Sequence, residues 1–66
     1  MEYTNSQIRE LISEYVHSDR DRSILARRLI DGITFERLAE EFDLSPKAVR
    51  MIVHKQEEIL FRHIPG

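Results

Sequence analysis

Residues 34–55 carry the sequence TFERLAEEFDLSPKAVRMIVHK, in which two helical segments flank a short polar break. Thr34 is a favourable N-cap, and the apolar residues after it recur on one helical face: Phe35, Leu38, Ala39 and Phe42. After the break, Ser45 is a second N-cap, and Pro46 stands at the first helical position, where its missing N–H group is no loss. The segment therefore predicts two short helices joined by a tight turn, the plan of a helix-turn-helix.

The spacing of the apolar residues fits that plan. A helix-turn-helix needs a small residue where its helices cross, and Ala39 lies on the inner face of the first helix. It also needs an apolar residue in the turn, which is Leu44, and apolar residues inside the second helix, which are Val49 and Ile52. We expect five residues of this unit to be buried: Leu38, Ala39, Leu44, Val49 and Ile52.

The outer face of the second helix is basic. Its residues are the ones that a major groove would meet: Lys47, Arg50, Met51, His54 and Lys55. Residues 45–55 contain no acid, whereas the whole chain has a net charge of −2 and a pI of about 5.9. A low overall pI argues against nucleic-acid binding, but here the basic charge is concentrated at the start of the last helix.

Two further helical segments precede this unit. Thr4 and Gln7 form a possible capping box, so the first helix is predicted to start near residue 5. Its apolar stripe consists of Ile8, Leu11, Ile12, Tyr15 and Val16. Ser18 and Asp19 suit the start of a second helix, and Gly32 suits its end in the left-handed conformation. The apolar residues of this second segment are Ile24, Leu25, Leu29 and Ile30.

Together, the four segments predict an all-α fold, a small three-to-four-helix bundle that contains a helix-turn-helix. We assign residues 1–66 to a single domain, with a leading helix over 5–18 and the helix-turn-helix unit over 34–62. A chain of 66 residues buries only about 60% of the surface that it exposes when unfolded, so its core must be economical. The absence of cysteine excludes disulfides and thiolate metal sites and fits a reducing compartment.

The sequence offers no arrangement of residues for catalysis, cofactor binding or metal binding. A domain this small is not expected to enclose a pocket of roughly a few hundred cubic ångströms, and no Ser/His/Asp set or phosphate-binding glycine loop occurs. His54 and Glu58 are one turn apart and could pair, but His17 and His63 have no partners at ligand spacing. We therefore predict a protein that is not an enzyme and that needs no cofactor or metal.

Several short motifs between residues 19 and 62 resemble a known family. The motifs are Arg22-Ser23-Ile24-Leu25, Gly32-Ile33-Thr34, Leu38-Ala39, Phe42, Leu44-Ser45 and Ala48-Val49-Arg50. In this pattern the chain is similar to the C-terminal promoter-reading domain, region four, of bacterial sigma factors. Related response-regulator output domains share the same four-helix plan.

This resemblance implies a tetrahelical helix-turn-helix that binds duplex DNA with its fourth helix in the major groove. It also implies that Thr34 and Ser45, at the starts of the two helices, lie near DNA phosphates. Two residues depart from the family pattern. Asp43 stands where the family usually has glycine, so it must adopt a left-handed conformation. Arg37 stands where the family usually has glutamate, so a polymerase contact through this position does not carry over.

The leading hypothesis is a small, cytoplasmic transcription regulator of bacterial or phage origin that binds duplex DNA. The predicted DNA-binding residues are Thr34, Ser45, Lys47, Arg50, Met51, His54 and Lys55. The alternative is a protein-interaction module that binds RNA polymerase or another regulator, which the net charge of −2 and the acidic segment 34–44 favour. A plain solvated helix face would also explain the lysines and arginine, but the lack of acids among them favours DNA. No membrane partner is expected, because the apolar runs are far shorter than the ~20 residues of a membrane span.

The apolar stripe of the last helix continues towards the C-terminus through Ile52, Ile59, Leu60 and Ile64. Either a second copy of the chain or the first helix, through Ile8, Leu11, Ile12 and Tyr15, could cover it. We favour the first helix, because it otherwise has no apolar surface to pack against. The sequence then predicts a monomer or a weak homodimer.

Overall fold

The computed structural model describes residues 4–62 and folds them into four helices. Helix α1 spans Asn5–Tyr15, α2 spans Asp19–Leu29, α3 spans Phe35–Phe42 and α4 spans Pro46–Arg62. No strand occurs in these residues, so the predicted all-α bundle is confirmed. Within the same range, no helix is both long enough and apolar enough to cross a membrane.

A hydroxyl side chain caps the start of every helix, at the four positions that the sequence indicates. The caps are Thr4, Ser18, Thr34 and Ser45, whose oxygens accept hydrogen bonds of 3.2, 3.3, 3.2 and 3.1 Å from the backbone N–H three residues ahead. The capping box of α1 is complete, because the Gln7 side chain accepts from the Thr4 N–H at 2.8 Å. Each such cap typically contributes about 1 kcal/mol to stability. Residues close in the sequence therefore determine where each helix starts.

Two residues in the left-handed region redirect the chain on either side of α3. Gly32 has φ of +69° and Asp43 has φ of +55°, as the sequence predicts. Helix α2 already ends at Leu29, so Gly32 turns the connection to α3 rather than closing the last turn of α2. After Asp43, the Leu44 N–H donates to the Ala39 carbonyl at 2.9 Å, the bond of a Schellman motif. Asp43 therefore occupies a position that glycine usually fills.

The core is one apolar cluster to which all four helices contribute. Its buried residues are Ile12, Val16, Ile24, Leu25, Leu38, Ala39, Val49, Val53 and Leu60. On α4, the three buried residues fall on one stripe, and α4 packs against α1, α2 and α3. Burial of an aliphatic side chain contributes about 1.5–3 kcal/mol, so this stripe fixes the orientation of α4.

Two residues that the sequence predicts to be buried are only half-buried. Burial is confirmed for three others: Leu38, Ala39 and Val49. Leu44 packs against the core, but it lies in the turn between α3 and α4, at the rim of the cluster. Ile52 precedes Val53, and successive helical residues differ by about 100° in direction, so Val53 takes the central position and Ile52 the edge. Full burial of Leu44 and Ile52 is therefore a wrong prediction.

Helix α1 packs against α4 within the chain, the arrangement that the sequence favours. Ile12 of α1 is 4% exposed and Leu60 of α4 is 2% exposed, and the two helices pack against each other. Intrachain packing thus buries the α4 stripe as far as Leu60. The stripe residues His63 and Ile64 lie outside the described residues.

Arg22 of α2 holds the end of α1. Its guanidinium donates to the carbonyl oxygens of Ser13, at 3.1 Å, and of Val16, and it also reaches Asp19 at 3.5 Å. Carbonyls at a helix C-terminus lack intrahelical donors, so they need partners of this kind. Arg22 therefore stabilises the α1–α2 junction.

An ion-pair cluster joins α2 to α3. The Arg27 guanidinium forms two hydrogen bonds with the Glu41 carboxylate, one of them 3.2 Å from Nε to Oε2, and it reaches Asp31 at 3.3 Å. The hydrogen bonds from Arg27 hold the pKa of Glu41 below its ordinary value, and the carboxylates raise the pKa of Arg27. The sequence suggests Asp31 as a partner of Arg27, but the bond to Glu41 depends on helix packing.

The close crossing at Ala39 is sensitive to side-chain size. Because Ala39 is 4% exposed in a packed core, Ala39→Leu should overpack the α3–α4 contact and lower the free energy of unfolding by about 1–3 kcal/mol. Urea denaturation measures this loss, with Glu40→Leu as the control on the exposed face of α3. Equal stability of Ala39→Leu and wild type would contradict the close crossing.

Acid should remove the stabilisation that Glu41 contributes. Because the folded-state pKa of Glu41 is lowered, its contribution is present at neutral pH and is lost as the pH falls through that pKa. Glu41→Gln should therefore be less stable than wild type at neutral pH, and the difference should shrink at about pH 3, below the usual carboxylate range. Urea denaturation across this range measures the difference.

Glu40→Gln is the matched control for this titration, because Glu40 is exposed and forms no ion pair with residues 4–62. Its stability difference from wild type should vary little with pH. A Glu41→Gln difference that is the same at every pH would show that the Arg27–Glu41 pair does not stabilise the fold.

Candidate nucleic-acid interface

Helix α4 has one buried stripe and one exposed face. Val49, Val53 and Leu60 lie in the core. Because residues are spaced about 100° apart around a helix, Met51 and Lys55 lie on the side opposite this stripe, and both are exposed. The packing of α4 therefore determines which of its residues face solvent.

All seven residues predicted to bind DNA are exposed: Thr34, Ser45, Lys47, Arg50, Met51, His54 and Lys55. Four of them line one surface depression together with Glu58; they are Arg50, Met51, His54 and Lys55. The other three lie at the starts of α3 and α4. We refer to the exposed set on α4 as the basic face, and it comprises Lys47, Arg50, Met51, His54 and Lys55.

The cations of the basic face are not neutralised within the fold. Lys47, Arg50 and Lys55 form no ion pair with any carboxylate of residues 4–62, in contrast to three arginines of α2. The nearest acids in the sequence, Asp43 and Glu57, stand outside the run 45–55. The positive charge is therefore available to an anionic partner.

Met51 adds an apolar contact surface to this charged environment. Its side chain is 63% exposed although it lies among cations and a histidine. A residue in this position can contact an apolar group such as the methyl group of thymine, which is displayed in the major groove. The basic face thus combines charge, hydrogen-bond donors and an apolar group on two to three turns of one helix.

Thr34 and Ser45 act first as helix caps. Their hydroxyl oxygens accept from the backbone N–H groups of Arg37 and Ala48. Each hydroxyl keeps its own hydrogen, and the first backbone N–H groups of each helix have no intrahelical partner. Such donors favour an anion, although α4 offers fewer of them because Pro46 has no N–H group.

One further contact involves residues that the sequence does not single out as functional. The Arg50 guanidinium lies 5.7 Å from the centre of the Phe35 ring, and the Arg28 guanidinium lies 4.3 Å from the same centre. Helical spacing identifies Phe35 only as part of the apolar face of α3, and the acids near Arg28 in the sequence, such as Asp31, would be its ordinary partners. Their association depends on how α2, α3 and α4 pack, so no spacing in the sequence could indicate it.

The structure gathers no metal-binding set in the part of the chain that it describes. Among residues 4–62, no three His, Asp or Glu side chains come together at a distance that could hold a metal ion. The interpretation of the basic face rests on the residues and geometry of the chain itself. In comparisons with known protein families, curated proteins and solved structures, the chain matches none of them.

Proposed function

We propose that the chain binds duplex DNA as a small transcription regulator, with the N-terminal half of α4 in the major groove. The observation that carries this proposal is the exposed, unneutralised basic face on a helix whose opposite side is packed in the core. Helix and groove match in size, because an α-helix with its side chains is about 10–12 Å across and the groove is about 12 Å wide. A helix held in this way can enter the groove without unfolding.

Each residue of the basic face has a role suited to its chemistry. Arg50 lies on the edge of the face next to Phe35 of α3, and its planar guanidinium suits the two acceptors on the edge of guanine. Lys47, on the first turn, and Lys55, two turns later, bind backbone phosphates as point charges. Met51 contacts a thymine methyl group, and His54 donates to a base or a phosphate.

The helix starts provide further phosphate contacts. Thr34 and Ser45 are exposed, and each lies beside backbone N–H groups that no residue of its helix accepts. A helix N-terminus favours negative charge through these groups and through its dipole. In this role, Thr34 and Ser45 fix the register of the domain on the duplex without reading sequence.

The second candidate function is a protein-interaction module whose partner is RNA polymerase or another regulator. One observation favours it: Phe61 on the last turns of α4 is 56% exposed and lines a surface depression with His54, Glu57, Glu58 and Arg62. This surface combines an exposed aromatic ring with two carboxylates and a guanidinium, and such a mixture suits a protein rather than the uniform negative charge of DNA. The two surfaces share His54, but Lys47 and Arg50 belong to the basic face alone, so substitutions of these two residues separate the functions.

Substitution of single basic residues tests the DNA contact. Wild type should bind duplex DNA with a log–log salt slope of about −3 to −4, because it neutralises about three to five phosphates. Lys47→Ala should weaken binding to every sequence and flatten this slope by about one. Arg50→Ala should instead cost about 1–3 kcal/mol at a preferred site and little elsewhere. Fluorescence anisotropy at about 50 mM salt measures both effects.

Arg62→Ala is the control for this experiment, because Arg62 is an exposed cation at the far end of the same helix. It should reduce affinity less than either substitution on the basic face. If Lys47→Ala and Arg50→Ala both bind DNA as wild type does, the basic face is not the DNA-binding surface.

A further inference from the structure

Two guanidinium groups from different helices meet at one aromatic ring. Arg28 of α2 lies 4.3 Å from the centre of the Phe35 ring, and Arg50 of α4 lies 5.7 Å from it. Phe35 itself is the first residue of α3 and is half-buried. The Phe35 ring therefore connects Arg50 of the basic face with Arg28 of α2.

Arg28 differs from the other arginines of α2 in its partners. Arg20, Arg22 and Arg27 each form an ion pair with a carboxylate. Arg28 forms none with the described residues, and its Nη1 donates instead to the Ile33 carbonyl at 3.1 Å. This bond leaves the charge uncompensated and keeps most of the guanidinium donors available, since an arginine has five N–H groups.

Arg28 and Arg50 place two cations around one ring, and no carboxylate of the described residues pairs with either of them. The π face of the ring attracts a cation but does not neutralise its charge. Glu36 follows Phe35 in the sequence, but it forms no ion pair with either arginine. A phosphate group would accept hydrogen bonds from a guanidinium and neutralise its charge.

We propose that Arg28 binds a backbone phosphate of the same duplex that Arg50 reads, and that Phe35 is the residue that positions Arg28 for this contact. The inference rests on the proposed function and extends the DNA interface from α4 to α2. Arg28 contributes affinity for any sequence, because a phosphate contact carries no base information. Phe35 provides a flat, half-buried surface that holds the guanidinium in place.

Neutralising Arg28 tests the phosphate contact. Arg28→Gln should weaken binding to duplex DNA about tenfold at 50 mM salt, equally for different sequences, and should flatten the salt slope by about one. Arg28→Lys retains the charge and should retain most of the slope. The matched control is Arg9→Gln, which removes the same charge from an exposed position of α1 and should change affinity by about twofold or less.

Replacing Phe35 tests the positioning role. Phe35→Leu keeps an apolar side chain but removes the π face, and it should weaken binding about threefold, whereas Phe35→Tyr keeps the ring and should bind as wild type does. Circular dichroism and thermal unfolding verify that both variants are folded. Equal losses in the leucine and tyrosine variants would assign Phe35 to packing alone and overturn its positioning role.

The outcomes separate this inference from the function on which it rests. If wild type binds DNA and Arg28→Gln loses no more affinity than Arg9→Gln, the phosphate contact at Arg28 is wrong and the proposed function stands. If wild type does not bind duplex DNA at low salt, the phosphate contact at Arg28 and the proposed function are both wrong. A loss at Arg28 that is confined to one DNA sequence would also overturn the inference, because a phosphate contact acts on every sequence.

Discussion

The packing of the apolar stripe of α4 against the other three helices is the constraint on which the rest of the structure depends. Val49, Val53 and Leu60 are buried on this stripe, and each fully buried aliphatic side chain contributes about 1.5–3 kcal/mol. In a domain of 66 residues the core is small, so the loss of one such contact would remove a large part of the free energy of unfolding. Because the stripe fixes the rotation of α4 about its axis, it also decides that Lys47 and Arg50 face solvent.

Most of the fold follows from local signals in the sequence. The hydroxyl caps, the helical spacing of apolar residues and the left-handed turn at Asp43 each depend on neighbouring residues, and each is confirmed. The degree to which a side chain is buried depends less on neighbouring residues in the sequence. Leu44 and Ile52 are apolar and correctly spaced, yet both lie at the rim of the cluster, Leu44 because it is in the turn and Ile52 because Val53 occupies the centre. Periodicity identifies the face of a helix, but tertiary packing decides which residue of that face is central.

Some features of the candidate site could likewise be predicted from the sequence, whereas others depend on how the helices pack. The exposure of the basic face could be predicted, because these residues lie opposite an apolar stripe that the sequence displays. The pairing of the α2 arginines with Asp19, Asp21 and Asp31 could also be predicted, whereas their contacts with α3 could not. Arg27 reaches Glu41, fourteen positions away in the sequence, and Arg28 stacks on Phe35, and both contacts exist only after α2 and α3 have packed. Internal ion pairs therefore neutralise much of the charge of α2, while Arg28 and α4 retain theirs.

The proposed DNA contact lies at the start of α4 and not at its C-terminal end. Amide chemical shifts recorded while a mixed-sequence duplex is added at low salt test this most directly, since every described residue except Pro46 has a backbone amide to report on. Binding at the basic face should shift amides within residues 34–55 and near Arg28, and none on the exposed face of α1. Shifts centred on Phe61 with an undisturbed basic face, or no shifts at all, would contradict it.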